Sequence, residues 1–71
     1  MEMISVESSN IAAIGYDEQS ATLTIQFKKE GATYEYYDVP QHEYNSLMAA
    51  ESHGVSAHAY IYKLYRQQKI S

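Results

Sequence analysis

Few residues in this sequence have the types and spacing that catalysis or metal binding requires. His42, His53 and His58 are the only imidazole or thiol ligands, because the chain contains no cysteine, and their spacing matches no zinc motif. Ser52 and His53 are adjacent in sequence, which is not how a nucleophile and its general base are arranged. No nucleophile elbow, phosphate loop or dinucleotide fingerprint is present. We therefore expect no catalytic residues, no metal and no cofactor, and a protein that is not an enzyme.

Tyrosines and C-terminal cations are the residues best suited to bind a partner. Lys63, Arg66 and Lys69 recur every three residues with Tyr62 beside them, and on a helix this arrangement could set cations against phosphates near an aromatic ring. Tyr37 falls on a strand face that the pattern predicts to be solvated. The candidate partner-binding residues are therefore Tyr37, Tyr62, Lys63, Arg66 and Lys69. The alternative is an ordinary solvated helix face, whose cations suit the C-terminal end of the helix dipole.

Tyr34 and Tyr36 allow two interpretations. Aromatic pairs on a sheet can stack unpaired bases in RNA-binding modules. The predicted strand pattern, however, places both tyrosines on the same face as Leu23, Ile25 and Phe27. We therefore favour a core position for Tyr34 and Tyr36.

The charge of the chain is uneven. Its 71 residues carry a net charge of −4, which argues against general affinity for nucleic acid. Residues 1–53 contain all nine acidic groups and two lysines, a balance of −7, whereas residues 54–71 contain three cations and no acid. The first residues lack the features of a signal peptide, and no run of about 20 apolar residues occurs. We expect a cytoplasmic protein without a membrane partner and without a small-molecule substrate.

Alternating polar and apolar residues predict three strands, over residues 11–16, 22–28 and 33–38. A four-residue turn at 17–20 and a two-residue turn at Glu30 and Gly31 would connect them. This spacing pairs Phe27 with Tyr34 and Ile25 with Tyr36. Residues 1–8 are either an ordered lead-in or a frayed tail, and residues 9–71 form a single domain.

Helical spacing follows the strands. Pro40 suits the first turn of a helix, Tyr44, Leu47 and Met48 recur on one side, and Gly54 would end the helix. Ser56 could cap a second helix, whose apolar stripe consists of Ala57, Tyr60, Ile61, Leu64 and Tyr65. The predicted fold is α+β, a three-stranded antiparallel β-meander with two C-terminal helices packed on one face, in the order β-β-β-α-α.

The order and spacing of residues along nearly the whole chain resemble the KTSC domain family, which is named for its occurrence at the C-terminus of some lysyl-tRNA synthetases. The resemblance rests on residues 9–17 (SNIAAIGYD), residues 23–27 (LTIQF), Gly31, Tyr34, Glu35, Tyr36, Val39, Pro40, Tyr44, Leu47, Ala50, Ser52, Gly54, Ile61 and Tyr65. It implies a small bacterial or phage protein of unassigned function, for which the synthetase context suggests RNA binding.

The chain departs from the family pattern after Gly54. Ser56, Ala57 and His58 stand where the family usually has an aromatic pair followed by asparagine, and Tyr62 stands where a basic residue is common. An activity of the family that depends on this segment would be altered or missing here.

Two functions remain open at the level of sequence. The first is a non-enzymatic binding module for RNA or a ribonucleoprotein, which the synthetase context and the basic C-terminal segment favour. The second is a protein–protein interaction adaptor, self-associating or acting as a phage-derived accessory protein, because the predicted sheet has exposed strand edges that can pair with another chain.

Overall fold

The computed structural model describes residues 2–50, 52, 54, 57, 61, 62 and 64–71. In chain order, the elements are β1 (Met3–Ser5), β2 (Ile11–Asp17), β3 (Thr22–Phe27), a 3-10 turn (Lys29–Gly31), β4 (Thr33–Tyr36), α1 (Gln41–Ala49) and β5 (Gln67–Lys69). The strands form one antiparallel sheet in the spatial order β1-β2-β3-β4-β5.

The prediction of a three-stranded meander with two C-terminal helices is wrong, although the fold remains a mixture of helix and strand. Strand β1 extends the sheet at one edge and β5 at the other, and α1 is the one helix whose bounds the described residues define. Gly54, the predicted end of the first helix, and Ala57 of the predicted second helix are both helical, whereas Ser56 and Tyr60 lie outside the described residues. The end of that predicted helix is strand β5.

Strand β5 forms where it can pair with β4. An unpaired edge strand presents a row of N–H and C=O groups that need partners. The C-terminal segment supplies them: the Tyr37 N–H donates to the Arg66 carbonyl (2.9 Å), and the Ile70 N–H donates to the Thr33 carbonyl (2.8 Å). Helix propensity is a weak preference that such tertiary pairing overrides.

The central strands pair two residues away from the predicted register. Ile25 lies opposite Tyr34, and Leu23 lies opposite Tyr36, because the connection after β3 contains a 3-10 turn in place of a two-residue turn. The Phe27 N–H donates to the Ala32 carbonyl across the base of this connection (2.7 Å). Since side chains alternate with a period of two, a shift of two residues leaves every side chain of β3 and β4 on its predicted face.

One face of the sheet carries the hydrophobic core, and α1 packs on that face through Leu47. Among the described residues, the core contains Ile11, Ile14, Leu23, Ile25, Tyr36, Val39, Leu47, Ala57 and Ile61. The predicted core position of Tyr36 is confirmed, because only 2% of this residue is exposed.

Helix α1 begins at Gln41, directly after Pro40, as predicted. It ends at Ala49, because Ala50 adopts an extended backbone with ψ of 144°, so the expectation that the helix would continue to Gly54 is wrong. A proline before the first turn has no N–H that would need a helical acceptor.

Val39 fixes the connection between β4 and α1 to the turn that precedes β3. Its N–H donates to the Ala21 carbonyl (2.9 Å), and its own carbonyl accepts the Tyr16 hydroxyl (2.5 Å). The Tyr16 ring in turn stacks on Tyr44 of α1, with centroids 5.0 Å apart and planes 12° apart. These contacts hold α1 over the sheet at its β2 side.

The second face of the sheet has a small buried centre. Thr24, which the pattern assigned to a solvated face, is 3% exposed and lies between Gly15 of β2 and Glu35 of β4. Ala13, its neighbour on the same side, is also buried. Longer side chains on the surrounding strand positions can cover these small residues.

We expect Ala21→Gly to stabilise the protein. Ala21 has φ of 54°, a left-handed conformation that costs a residue with a Cβ about 1 kcal/mol and that glycine adopts without strain. The matched control is Ala32→Gly, where φ is −58° and the same change should destabilise by about 0.5–1 kcal/mol. Urea unfolding of both variants measures the sign of each change in the free energy of unfolding. A destabilised Ala21→Gly variant would contradict the expectation.

Candidate functional site

A cavity of about 630 Å³ opens on the core side of the sheet, at the end where β3 turns into β4. Its lining comes from the central strands, the connection between them, strand β5 and the segment before β2. The lining residues are Asn10, Phe27, Lys29, Glu30, Ala32, Tyr34, Tyr36, Tyr62, Gln67 and Lys69. A cavity of this size can hold a small organic group.

Four aromatic rings form a connected wall of the cavity. Phe27 meets Tyr34 edge-on, with centroids 5.8 Å apart and an interplanar angle of 84°. Tyr62 lies 5.9 Å from Phe27 and also 5.9 Å from Tyr36, with which it is nearly parallel. Such ring pairs stabilise a fold by about 0.5–1.5 kcal/mol beyond the burial of their area. The wall therefore contributes to the core while Phe27 and Tyr34 stay half-buried.

Strand alternation places charged and polar side chains beside this wall. Lys69 pairs with Tyr34, and Gln67 pairs with Tyr36, so both project to the cavity side of the sheet. Lys29 and Glu30 come from the connection between β3 and β4. Among the lining residues that the structure describes, the charged groups are thus two ammonium groups and one carboxylate.

The Tyr36 and Tyr62 phenols of the wall are neutral hydroxyls at physiological pH. Burial raises the pKa of Tyr36 far above its usual range, and the neighbouring Tyr62 and Tyr34 raise it further. Burial also raises the pKa of Tyr62. These side chains offer aromatic faces and O–H groups to a ligand, which suits binding better than proton abstraction.

The structure divides the sequence-predicted site residues between two places. Tyr62 and Lys69 line the cavity, whereas Tyr37 and Arg66 meet on the opposite side of the sheet, with the guanidinium carbon 6.0 Å from the ring centroid. Lys63 lies outside the described residues.

The Tyr37 and Arg66 pair is an exposed surface contact. Arg66 also forms an ion pair with Asp38 (3.5 Å), in which both side chains are 81% exposed. The Tyr37 hydroxyl donates to Glu35 Oε1 (3.0 Å), with Gln68 Oε1 at 3.3 Å. Exposed pairs of this kind contribute less than about 1 kcal/mol.

Sequence reasoning missed several cavity residues, chiefly Asn10, Lys29, Glu30 and Gln67. A usable signal existed for Lys29 and Glu30, because they directly precede Gly31 in the predicted turn between the strands of Phe27 and Tyr34. Asn10 and Gln67 carried no such signal, since only the pairing of distant strands brings them to the cavity.

A second cavity, of about 450 Å³, lies at the opposite end of the β2–β3 hairpin and is acidic. It is lined by Tyr16, Asp17, Glu18, Gln19, Gln41 and Tyr44. Burial and the nearby carboxylates of Glu18 and Asp17 raise the pKa of Tyr16. An anionic ligand would be repelled here, so the aromatic cavity is the better candidate site for such a ligand.

Within the part of the chain that the structure describes, no three His, Asp or Glu side chains lie close enough together to hold a metal ion. His53 and His58 fall outside that part. Over the same residues, no helix is both long and apolar enough to cross a membrane.

Because the pKa values of the Tyr36 and Tyr62 phenols are raised, the free energy of unfolding should decrease at alkaline pH. Tyrosines of the unfolded chain lose their protons near the ordinary value of 10.0, whereas folded Tyr36 and Tyr62 retain theirs. The stabilisation is therefore complete below about pH 10 and is lost as pH rises, by up to about 1.4 kcal/mol per pH unit per phenol. Urea unfolding between about pH 9 and pH 11.5 should show a smaller loss in Tyr36→Phe than in the native protein. The control is the surface variant Gln68→Ala, which should behave like the native protein. If the free energy of unfolding of Tyr36→Phe decreased with pH as steeply as that of the control, this expectation would be wrong.

Comparison with known proteins agrees with the resemblance seen in the sequence. The sequence model of the KTSC domain matches residues 7–65. A protein of Tsukamurella paurometabola is 51% identical over 49 residues, covering 69% of this chain and 72% of that protein. An uncharacterized protein of Stutzerimonas stutzeri is 33% identical over 54 residues, covering 76% of this chain and 75% of that protein.

The crystal structure of a KTSC domain protein from Yersinia pestis superimposes with a TM-score of 0.94 at 36% sequence identity. The match covers 99% of this chain and 97% of the other, so it includes strands β1 and β5, which flank the residues that the family model matches. From its sequence and its fold, the chain belongs to the KTSC domain family.

Proposed function

We propose that this protein is a non-enzymatic module that binds single-stranded RNA by taking an unpaired base into the aromatic cavity. The observation that carries the proposal is the wall of Phe27, Tyr34, Tyr36 and Tyr62 with ammonium groups in the same lining. Proteins recognise single-stranded RNA mainly by stacking splayed-out bases on aromatic side chains. Such stacking contributes about 1–3 kcal/mol per base.

The positions of the cations suit an RNA backbone next to the inserted base. Lys29 and Lys69 are both exposed and line the cavity from two different elements, the β3–β4 connection and β5. Two phosphate contacts on a single strand give a slope of about −1.4 in the logarithm of affinity against the logarithm of salt. The net charge of −4 opposes long-range attraction, so we expect modest affinity that depends on the local site.

A protein–protein adaptor is the second candidate. The outer strands β1 and β5 have only exposed residues, and Ile4 and Ile70 expose 44% and 48% of their surfaces. Exposed strand edges can pair with a second copy or with another protein. Light scattering across a concentration series tests self-association. A protein that stays monomeric at every concentration would exclude a homodimeric adaptor.

RNA binding should depend on Lys29 and Lys69. We expect Lys29→Glu combined with Lys69→Glu to weaken binding of a fluorescent single-stranded RNA of about eight nucleotides at least about tenfold at about 50 mM salt, because both phosphate contacts become repulsive. Fluorescence anisotropy measures the affinity. Both lysines are exposed, so the substitutions should leave the fold intact.

The control is Lys28→Glu, which makes one of the two charge reversals, next to Lys29, on an exposed residue that does not line the cavity. It should retain most of the affinity. Equal losses in Lys28→Glu and in the cavity variant would argue for non-specific attraction. If the native protein binds the RNA no better than a neutral control protein at low salt, the proposed function is wrong.

A further inference from the structure

We infer that the aromatic cavity selects guanine among the four RNA bases, with Glu30 as the residue that determines the choice. This inference rests on the proposed function, because it names the base that the same cavity would accept. The lining has one unexpected feature, the carboxylate of Glu30 in a cavity that two lysines also line. In a site for an anionic strand, a carboxylate repels phosphate and weakens binding unless it accepts hydrogen bonds from the ligand.

Guanine is the base whose edge fits a carboxylate. Its Watson–Crick edge presents two adjacent donors, N1–H and the N2 amino group, beside the O6 acceptor. Adenine, cytosine and uracil each present a single donor group flanked by an acceptor on that edge. The two oxygens of Glu30 can accept both guanine donors at once, whereas they would face an acceptor lone pair on each of the other bases.

Donors suited to the remaining guanine acceptors lie in the same lining. Asn10 lines the cavity, and its side-chain amide carries N–H donors, while its Oδ1 accepts the Ser8 hydroxyl at 3.1 Å. Lys29 adds an ammonium group on the residue before Glu30. O6 and N7 of guanine are acceptors that such donors recognise. The wall of Phe27 and Tyr34 then supplies the stacking surface.

The backbone at Glu30 is a second observation that points to its side chain. Glu30 has φ of 60°, and Gly31 after it has φ of 63°. Glycine or asparagine meets the needs of such a position with less strain than glutamate. A strained residue at the rim of a cavity is a feature that commonly accompanies function, and here the strained residue carries the only carboxylate among the lining residues described.

The test uses the four nucleoside 5′-monophosphates as probes, with binding followed by the ¹H–¹⁵N NMR shifts of Tyr34 and Tyr36. We expect GMP to bind at least about tenfold more tightly than AMP, CMP or UMP, since a bidentate base contact discriminates by roughly 5- to 150-fold. Glu30→Gln should reduce the preference to about threefold or less, because the amide replaces one acceptor oxygen with a donor.

The matched control is Glu18→Gln, an exposed glutamate in the β2–β3 turn outside this cavity. It should keep the full GMP preference, and its NMR spectrum together with that of Glu30→Gln reports whether each variant is folded. Equal binding of the four nucleotides, binding of none, or a preference that survives Glu30→Gln would overturn the guanine inference.

The two proposals fail in different ways. If the RNA of about eight nucleotides binds through Lys29 and Lys69 but the nucleotides show no preference, the guanine inference is wrong and the proposed function stands. If GMP binds selectively through Glu30 while no RNA strand binds in the anisotropy experiment, RNA binding is wrong and the cavity is a guanine site for a free nucleotide.

Discussion

The alternation of side chains along a β-strand is the constraint on which the rest of this structure depends. Successive residues point to opposite sides of a sheet, so β4 sends Tyr34 and Tyr36 to the core side and Glu35 and Tyr37 to the other side. The aliphatic residues of β3 follow the same alternation, and in β2 a register shift between Ile11 and Ala13 brings Ile11 to the same face as Ile14. Together they form the buried layer under α1. The core and the cavity therefore lie on the same face of the sheet. The middle of this face is aliphatic, and its end near the connection between β3 and β4 is aromatic.

The same constraint separates the cations that looked like one surface. Arg66 and Lys69 are three residues apart, which puts them on one side of a helix but on opposite sides of a strand. With β5 paired to β4, Lys69 joins the aromatic cavity and Arg66 lies over Tyr37 on the other face. A basic stripe is thus replaced by one lysine in a cavity and one arginine in a weak surface cluster, and the cavity gains its second cation from Lys29.

In a domain of 71 residues the aromatic wall has to serve both the core and the site. So short a chain buries a limited share of its surface, and the cluster includes one fully buried ring, Tyr36, together with half-buried Phe27, Tyr34 and Tyr62. A ligand that fills the cavity would complete the packing of these rings and stabilise the folded state by mass action. Ligand binding at this cavity would therefore be coupled to folding, because the same side chains would take part in both.

Local sequence patterns are enough to predict the three central strands, the face that their apolar residues share and the start of α1 after Pro40, because each of these depends on neighbours within a few positions. The register, the two outer strands and the cavity depend on contacts between distant segments. Register depends on the length of the connection at Lys29–Gly31, and β5 exists because β4 offers it hydrogen-bond partners more than thirty positions away in sequence. Residues such as Asn10 and Gln67 become neighbours of the tyrosines through that long-range pairing, which no local periodicity encodes.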